Sequence, residues 1–181
     1  MIDMQHDFFN RSLNYQDQAT YNQIRSIVEI LFQKHDDELQ RVSEIAQMIK
    51  EGVEKISPFI QQCTETVCPV CKNICCSNKH GYYNQEDIIY IHALGLKPPE
   101  FKFGRKESDP CQFSSVNGCT LERAVRPSGC NWYFCESLLN HMEKMSDYPE
   151  FDETLSDVAE LWMELMREFA KVLHTLHYRW V

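Results

Sequence analysis

Residues 21–57 read YNQIRSIVEILFQKHDDELQRVSEIAQMIKEGVEKIS. Ile24, Val28, Leu31, His35, Glu38, Val42, Ile45, Ile49 and Ile56 recur here at alternating steps of three and four, with one step of seven across Gly52. Leu39, Ala46 and Val53 widen the apolar stripe, and charged residues fill the opposite face. That period belongs to an amphipathic helix, not a strand. It predicts one helix from about Ala19 to Ile56, roughly 55 Å long. His35 and Glu38 sit in the seam, where they either set register or mark a widened, wet section. Gly52 and Ser57-Pro58 are where the helix should weaken and stop.

A second stripe runs from about Glu153 to Tyr178. Leu155, Trp162, Phe169 and Leu176 occupy one heptad position, with Val158/Ala159, Leu165/Met166 and Val172/Leu173 between them. Aromatics at that spacing are core residues. The fold class expected is mainly α: two long amphipathic helices packed antiparallel, carrying an irregular Cys-rich metal-binding insert with short helices. A coiled-coil dimer through the same stripes is the competing arrangement. The organisation expected is a single domain over 1–181, with a helical scaffold at 19–57 and 150–181 and a zinc- or iron-chelating insert at 63–135. Between the scaffold helices, Asn84 caps a short helix over about 85–94 whose apolar side is Ile88, Ile89, Ile91 and Leu94. Gly95 follows it as the C′ residue. Residues 97–131 read as turns, another helix is plausible from Trp132 to about Met145, and Pro149 marks the next boundary. Phe8 and Phe9 are the only apolar pair in residues 1–18, which either pack on the body or fray.

The chain has 181 residues and a formal net charge of −9, which disfavours non-specific nucleic-acid binding. No run of about 18 apolar residues exists to span a membrane. The first residues lack a basic and an apolar region of the secretory kind, so the cytoplasm is the expected location, where thiols stay reduced. Eight of the nine cysteines fall between Cys68 and Cys135, and residues 1–62 and 136–181 contain none. An odd count in a reducing compartment points to metal ligation or redox chemistry rather than a disulfide framework.

The first block is Cys68-Pro69-Val70-Cys71-Lys72-Asn73-Ile74-Cys75-Cys76. Cys68, Cys71 and Cys75 are spaced i, i+3, i+7, so a helical segment would line them up, with Cys68 at its cap and Pro69 in its first turn. Thiols there would have lowered pKa values. A knuckle-type turn holding Cys68 and Cys71 on one ion is equally open. Adjacent side chains diverge, so Cys75 and Cys76 suit two nearby sites, or a ligand and a supporting thiol, better than one mononuclear site. The second block is Cys111, Cys119, Cys130 and Cys135, and the first three each follow a turn-forming residue. Arg126 either offsets thiolate charge or belongs to a surface Arg-Pro turn.

The order Cys-x2-Cys-x3-Cys-Cys, a short helix with Glu86-Asp87-Ile88 ending Leu94-Gly95-Leu96, then Pro-Cys-x-Phe, Gly-Cys and Arg-Pro-x-x-Cys resembles the YkgJ-like cysteine-cluster family. Its members are described as zinc- or iron-chelating proteins. The resemblance covers residues 68 to about 135 and carries over to Cys68, Cys71, Cys75, Cys76, Cys111, Cys119 and Cys130. The family's first block usually has one residue fewer between its second and third cysteines. Its last cysteine is usually followed by Arg and soon by Pro-Phe, where this chain has Asn131, Trp132, Tyr133 and Phe134. Cys135 lies outside the pattern and completes an even eight. A related cluster occurs in flagellin lysine methylases.

The expected metal ligands are Cys68, Cys71, Cys75, Cys76, Cys111, Cys119, Cys130 and Cys135, with Cys63 a bystander at a helix end. Eight thiolates fill two tetrahedral four-cysteine zinc sites, or hold one four-cysteine iron–sulfur cluster with thiols to spare. His80 and His92 are possible nitrogen ligands, though a solvent or helix-surface position is the safer reading. The function expected is metal binding, with a transferase or redox enzyme using the cluster as the alternative. No phosphate loop, H-E-x-x-H motif or nucleophile elbow is present. Beyond the metal ion, a protein partner of the helical scaffold is possible, and the state expected is a monomer or a helix-mediated dimer.

Overall fold

A computed structural model describes residues 17–71, 75–116 and 118–177. Phe8, Phe9 and Tyr178 lie outside them. Six α-helices are present among these residues: α1 (Gln18–Lys34), α2 (Asp36–Val67), α3 (Gln85–Ala93), α4 (Gly129–Trp132), α5 (Glu136–Met142) and α6 (Tyr148–Thr175). The long helices α2 and α6 pack together, as the two stripes predict.

The single first helix becomes two. The chain leaves helical geometry at His35 (φ −132°, ψ 42°). Asp36, Asp37 and Glu38 occupy the first turn of α2, where carboxylates meet the positive end of the helix dipole. Lys34 occupies the last turn of α1, where a cation is favoured. Apolar periodicity continues across the break, so it does not reveal it. His35 Nδ1 lies 3.5 Å from Glu38 Oε1, and the Glu38 side chain is 48% exposed, so this section of the seam is wet.

Neither Gly52 nor Ser57-Pro58 ends α2, which runs on to Val67 with Pro58 inside it. A proline in a helix interior costs about 3 kcal/mol. Ile56, Ile60 and Cys63, all buried, carry the stripe past Pro58, and burying two isoleucines contributes a comparable amount, about 1.5–3 kcal/mol each. Gly52 has a packing role instead. A Cβ built there collides with Val158 Cγ2, so the glycine lets α2 and α6 come close. Pro149 does not precede α6 but sits in its first turn, where a missing N–H is tolerated.

Two compact units make up the chain. One comprises the described parts of Met1–Gln47, Tyr83–Phe103 and Leu161–Val181. In it Phe32 stacks on Phe169 (6.2 Å) and on His92 (6.4 Å), and Tyr21 meets Phe103 edge-on. Asn84 caps helix α3 as its sequence predicts, and the structure adds a reciprocal capping box: Asn84 Oδ1 accepts from Asp87 N, and Asp87 Oδ2 accepts from Asn84 N. Gly95 follows at φ +70°. The helix is buried all round from Asp87 to Ala93 rather than on one side.

The other unit comprises Met48–Tyr82 and Gly104–Glu160. Its core joins Ile56, Ile60 and Cys63 to Leu138, Met142 and Phe151. Phe59 stacks on Phe151 at 4.7 Å, and Lys55 Nζ donates to Thr154 Oγ1 at 3.1 Å. With Gly52 opposite Val158, these pairs rise along α2 as they fall along α6, so the helices are antiparallel here. The expected helix from Trp132 to Met145 is replaced by α4 and α5. Tyr133 and Cys135 between them are extended, which turns the chain and leaves Cys135 as the N-cap of α5.

Candidate metal centre

The nine cysteines all belong to the second unit, and none is in a disulfide. Cys63 is fully buried among the apolar side chains of the α2–α5–α6 core. Five residues later α2 tightens into a 3-10 turn, Cys68–Val70. Cys68 is therefore at the C-terminal end of a long helix, not at an N-cap, and the dipole there opposes a thiolate. Its pKa is raised, first by partial desolvation and then by Cys76, Cys135 and Cys71. Cys71 is extended (φ −76°, ψ 128°), and its N–H closes a tight turn on Cys68 O at 3.2 Å. Cys68, Cys71 and Cys75 consequently do not share a helical stripe. Residues 72–74 lie outside the described part.

Beyond them the chain pairs with a distant segment. Asn78 N donates to Asp109 O (2.7 Å), Cys111 N to Cys76 O (2.9 Å) and Lys79 N to Glu107 O (3.2 Å), with an antiparallel bridge between Ser77 and Pro110. These bonds satisfy backbone groups that no regular sheet would satisfy here, and they set Cys76 beside Cys111. Gly81 is required by the same juncture: a Cβ there would stand 2.7 Å from Cys111 Sγ. Cys119 ends a short hairpin in which Ser114 pairs with Cys119 and Ser115 with Gly118. Gly118 takes φ +102°, a conformation glycine alone adopts freely. Cys130 enters through α4, and its thiol points to His80 O at 4.0 Å.

Cys68, Cys75, Cys76, Cys111, Cys119 and Cys130 line one cavity of about 130 Å³, opposite apolar side chains that include Ile60 and Leu138. The remaining two, Cys71 and Cys135, are not on its wall but neighbour it: both raise the pKa of Cys68, and Cys135 also raises that of Cys75. Among the described residues no three His, Cys, Asp or Glu side chains already surround a common point as a formed metal site does. The thiols are gathered without being closed up.

Electrostatics account for that state. Burial pushes Cys75 up to about 12, helped by Cys76, Cys135 and Cys68. Burial likewise pushes Cys130 up to about 12, helped by Cys111 and Cys119 and opposed by Arg126. Cys111 is raised, again chiefly by burial. These thiols hold their protons at neutral pH, and neutral thiols can crowd where thiolates would repel.

Two arginines reach the same cavity. Arg126 is half-buried, lines the cavity and donates through Nε to Leu121 O at 2.9 Å. Arg123, which the sequence pattern gave no reason to single out, is 8% exposed, and its Nη1 lies 3.4 Å from Cys130 O. Its Nε is buried without a hydrogen-bond partner among the described residues. Burial and Arg126 lower its pKa to about 10.

The two histidines separate. His80 lines the cavity, half-buried and stacked on Tyr133 at 4.9 Å, and burial lowers its pKa. His92 belongs to the first unit, whereas the cysteines belong to the second, and it is buried rather than on a helix surface. No helix among the described residues is long and apolar enough to cross a membrane.

Comparison of the chain with protein families, with curated proteins and with solved structures gave no match.

Proposed function

We propose that this chain is a metal-binding protein that chelates zinc or iron through the cysteines between Cys68 and Cys135. The observation that carries the reading is the gathering of six free thiols on one cavity wall, with Cys71 and Cys135 adjoining. The donor set is all sulfur at its centre, which selects zinc, copper(I) or iron–sulfur chemistry over hard cations. Converting several neighbouring thiols to thiolates is costly without a cation, since each charge raises the cost of ionising the next. A metal ion removes that conflict by replacing the protons. Bound there, the group would supply thiolate bonds that tie the loops of the second unit together.

Anaerobic purification of the full chain, followed by elemental analysis and an absorption spectrum, tests the reading. Stoichiometric zinc in a colourless protein, or iron with broad sulfur-to-iron bands, is the expected outcome. Protein that neither retains nor takes up zinc or iron under reducing conditions would overturn it.

A further inference from the structure

We propose that the first unit carries a second, separate site: a cavity at the ends of α1 and α3 that binds a small alkylammonium ligand. Glu29 and Asp36 are its carboxylate partners, Phe32 is the ring beside it, and His92 is a hydrogen-bond acceptor. The proposal does not depend on the metal-binding reading.

The cavity measures about 280 Å³ and is walled by α1, the start of α2 and the residues that end and follow α3, all of the first unit. His92 forms part of its wall and is 8% exposed. Its Nε2 is buried and finds no hydrogen-bond partner among the described residues. A buried polar nitrogen is normally paired, so an unpaired one on a cavity wall points to a ligand. The imidazole lies near-parallel to Phe32, 6.4 Å away at 20°. Burial lowers its pKa, opposed by Glu29 and helped by Arg25 and Lys97, so the ring is neutral at neutral pH. In the tautomer protonated at Nδ1, Nε2 accepts a hydrogen bond and favours a ligand with N–H groups.

The wall is negative. Glu29 and Asp36 both line it, and Asp36 has no cationic partner among the described residues. Phe32 and Gln33 lie in the last turn of α1, and His92 and Ala93 in the last turn of α3, so the negative ends of two helices meet there. The positive end of α2 is offset by its own Asp36, Asp37 and Glu38. Among the described residues Lys97 is the single lysine or arginine on the wall; Arg25 is not on it. An aromatic face beside carboxylates is a setting that attracts an organic cation. The chain supplies its own example of the ligand chemistry. Lys97 Nζ, an alkylammonium, lies 3.7 Å from Glu29 Oε1, while the Lys97 side chain is 80% exposed. So open a pair is weak, and a ligand ammonium can take the place of Lys97 at Glu29.

Titration of the full-length, isotope-labelled chain with n-propylammonium chloride, read by backbone amide chemical shifts at constant ionic strength, tests the site. Sodium propionate is the comparison. The shifts expected saturate, fall on residues 29–36 and 92–97, and do not arise with propionate. Asp36→Asn, at an exposed position, should weaken binding about threefold. Lys97→Gln should tighten it about threefold, because the internal competitor is gone; a purely structural role for Lys97 gives no such gain. His92→Phe keeps the ring, removes the acceptor and should weaken binding about tenfold. The absence of saturable shifts in both the parent and Lys97→Gln, propionate binding as tight as propylammonium binding, unchanged affinity in Asp36→Asn, or weaker binding in Lys97→Gln would overturn the proposal. The two exposed variants keep that test decisive even where His92→Phe does not fold.

Discussion

Gly52 faces Val158 across the α2–α6 contact, and a Cβ added there meets Val158 Cγ2 head-on. Gly52→Ala therefore sets two effects against each other. Alanine in a helix interior is favoured over glycine by about 1 kcal/mol. One extra methyl in a packed contact costs about 1–3 kcal/mol. Val158 is 1% exposed and β-branched on a helix, so it has little freedom to turn away. The net expectation is a loss of about 1 kcal/mol. Val158→Ala alone should cost about 2 kcal/mol, from lost apolar burial plus the cavity left behind. In the double variant the new methyl enters the vacated space and the helix gain is realised. The double should then lie about 1 kcal/mol below the parent, which means a coupling of about 2 kcal/mol. Urea unfolding followed by far-ultraviolet circular dichroism, in chelator and reductant so that metal content is equal, measures all four proteins. A rise in midpoint for Gly52→Ala, or losses that simply add, would show that the two backbones are not in close approach at this point.

Three other outcomes are expected. Tyr21 is buried, its hydroxyl has no hydrogen-bond partner among the described residues, and burial raises its pKa to about 12. Its folded-state value is above the unfolded one, so the stability it contributes is present below pH 10 and lost as pH rises toward 12. The amount is about 2–3 kcal/mol, and Tyr21→Phe should flatten that loss in a comparison of alkaline unfolding curves. Gly81→Ala pushes a methyl to 2.7 Å from Cys111 Sγ and should weaken metal uptake about tenfold while leaving the circular-dichroism spectrum intact; equal affinity would place Cys111 outside the ligand set. Cys75 and Cys130, with values of about 12, are protonated at neutral pH, so on the proposed metal-binding reading zinc would have to displace protons. Uptake in weakly buffered solution with an indicator dye should release protons and weaken as pH falls, and a pH-independent affinity between 6 and 8 would contradict thiol ligation.

The helices were legible because a period of 3.6 is written in neighbouring residues. The Asn84 N-cap and the Gly95 C′ position were read from equally local signals, while the reciprocal bond from Asp87 came from the structure. What periodicity hides is an interruption that keeps the stripe in phase, and the break at His35 does that. Gly52 and Pro58 are local helix breakers, but their outcome is decided by Val158 and by the Ile56–Ile60–Cys63 stripe, which only the folded chain brings to bear. The cysteines were legible as a group and not as a geometry. Pairing of residues 76–79 with 107–111 joins segments about thirty residues apart, and no spacing rule announces it. Arg123 was missed because nothing in Arg-x-x-Arg-Pro separates a buried guanidinium from a solvated one.

The same residues explain how the thiols are gathered. Backbone hydrogen bonds from Asn78, Lys79, Cys111 and Thr120 fix the loops, so conformational entropy is already lost at the base of the cavity. What remains is an electrostatic obstacle. Burial holds the thiols neutral while it holds Arg123 below its ordinary value, so acids and base are each displaced away from their charged forms. Ionising one thiol beside Arg123 would relieve the guanidinium, but ionising four would overshoot without a cation. On the proposed metal-binding reading, a thiophilic cation would take the place of those protons, and Arg123 and Arg126, on the same cavity, would offset part of the thiolate charge.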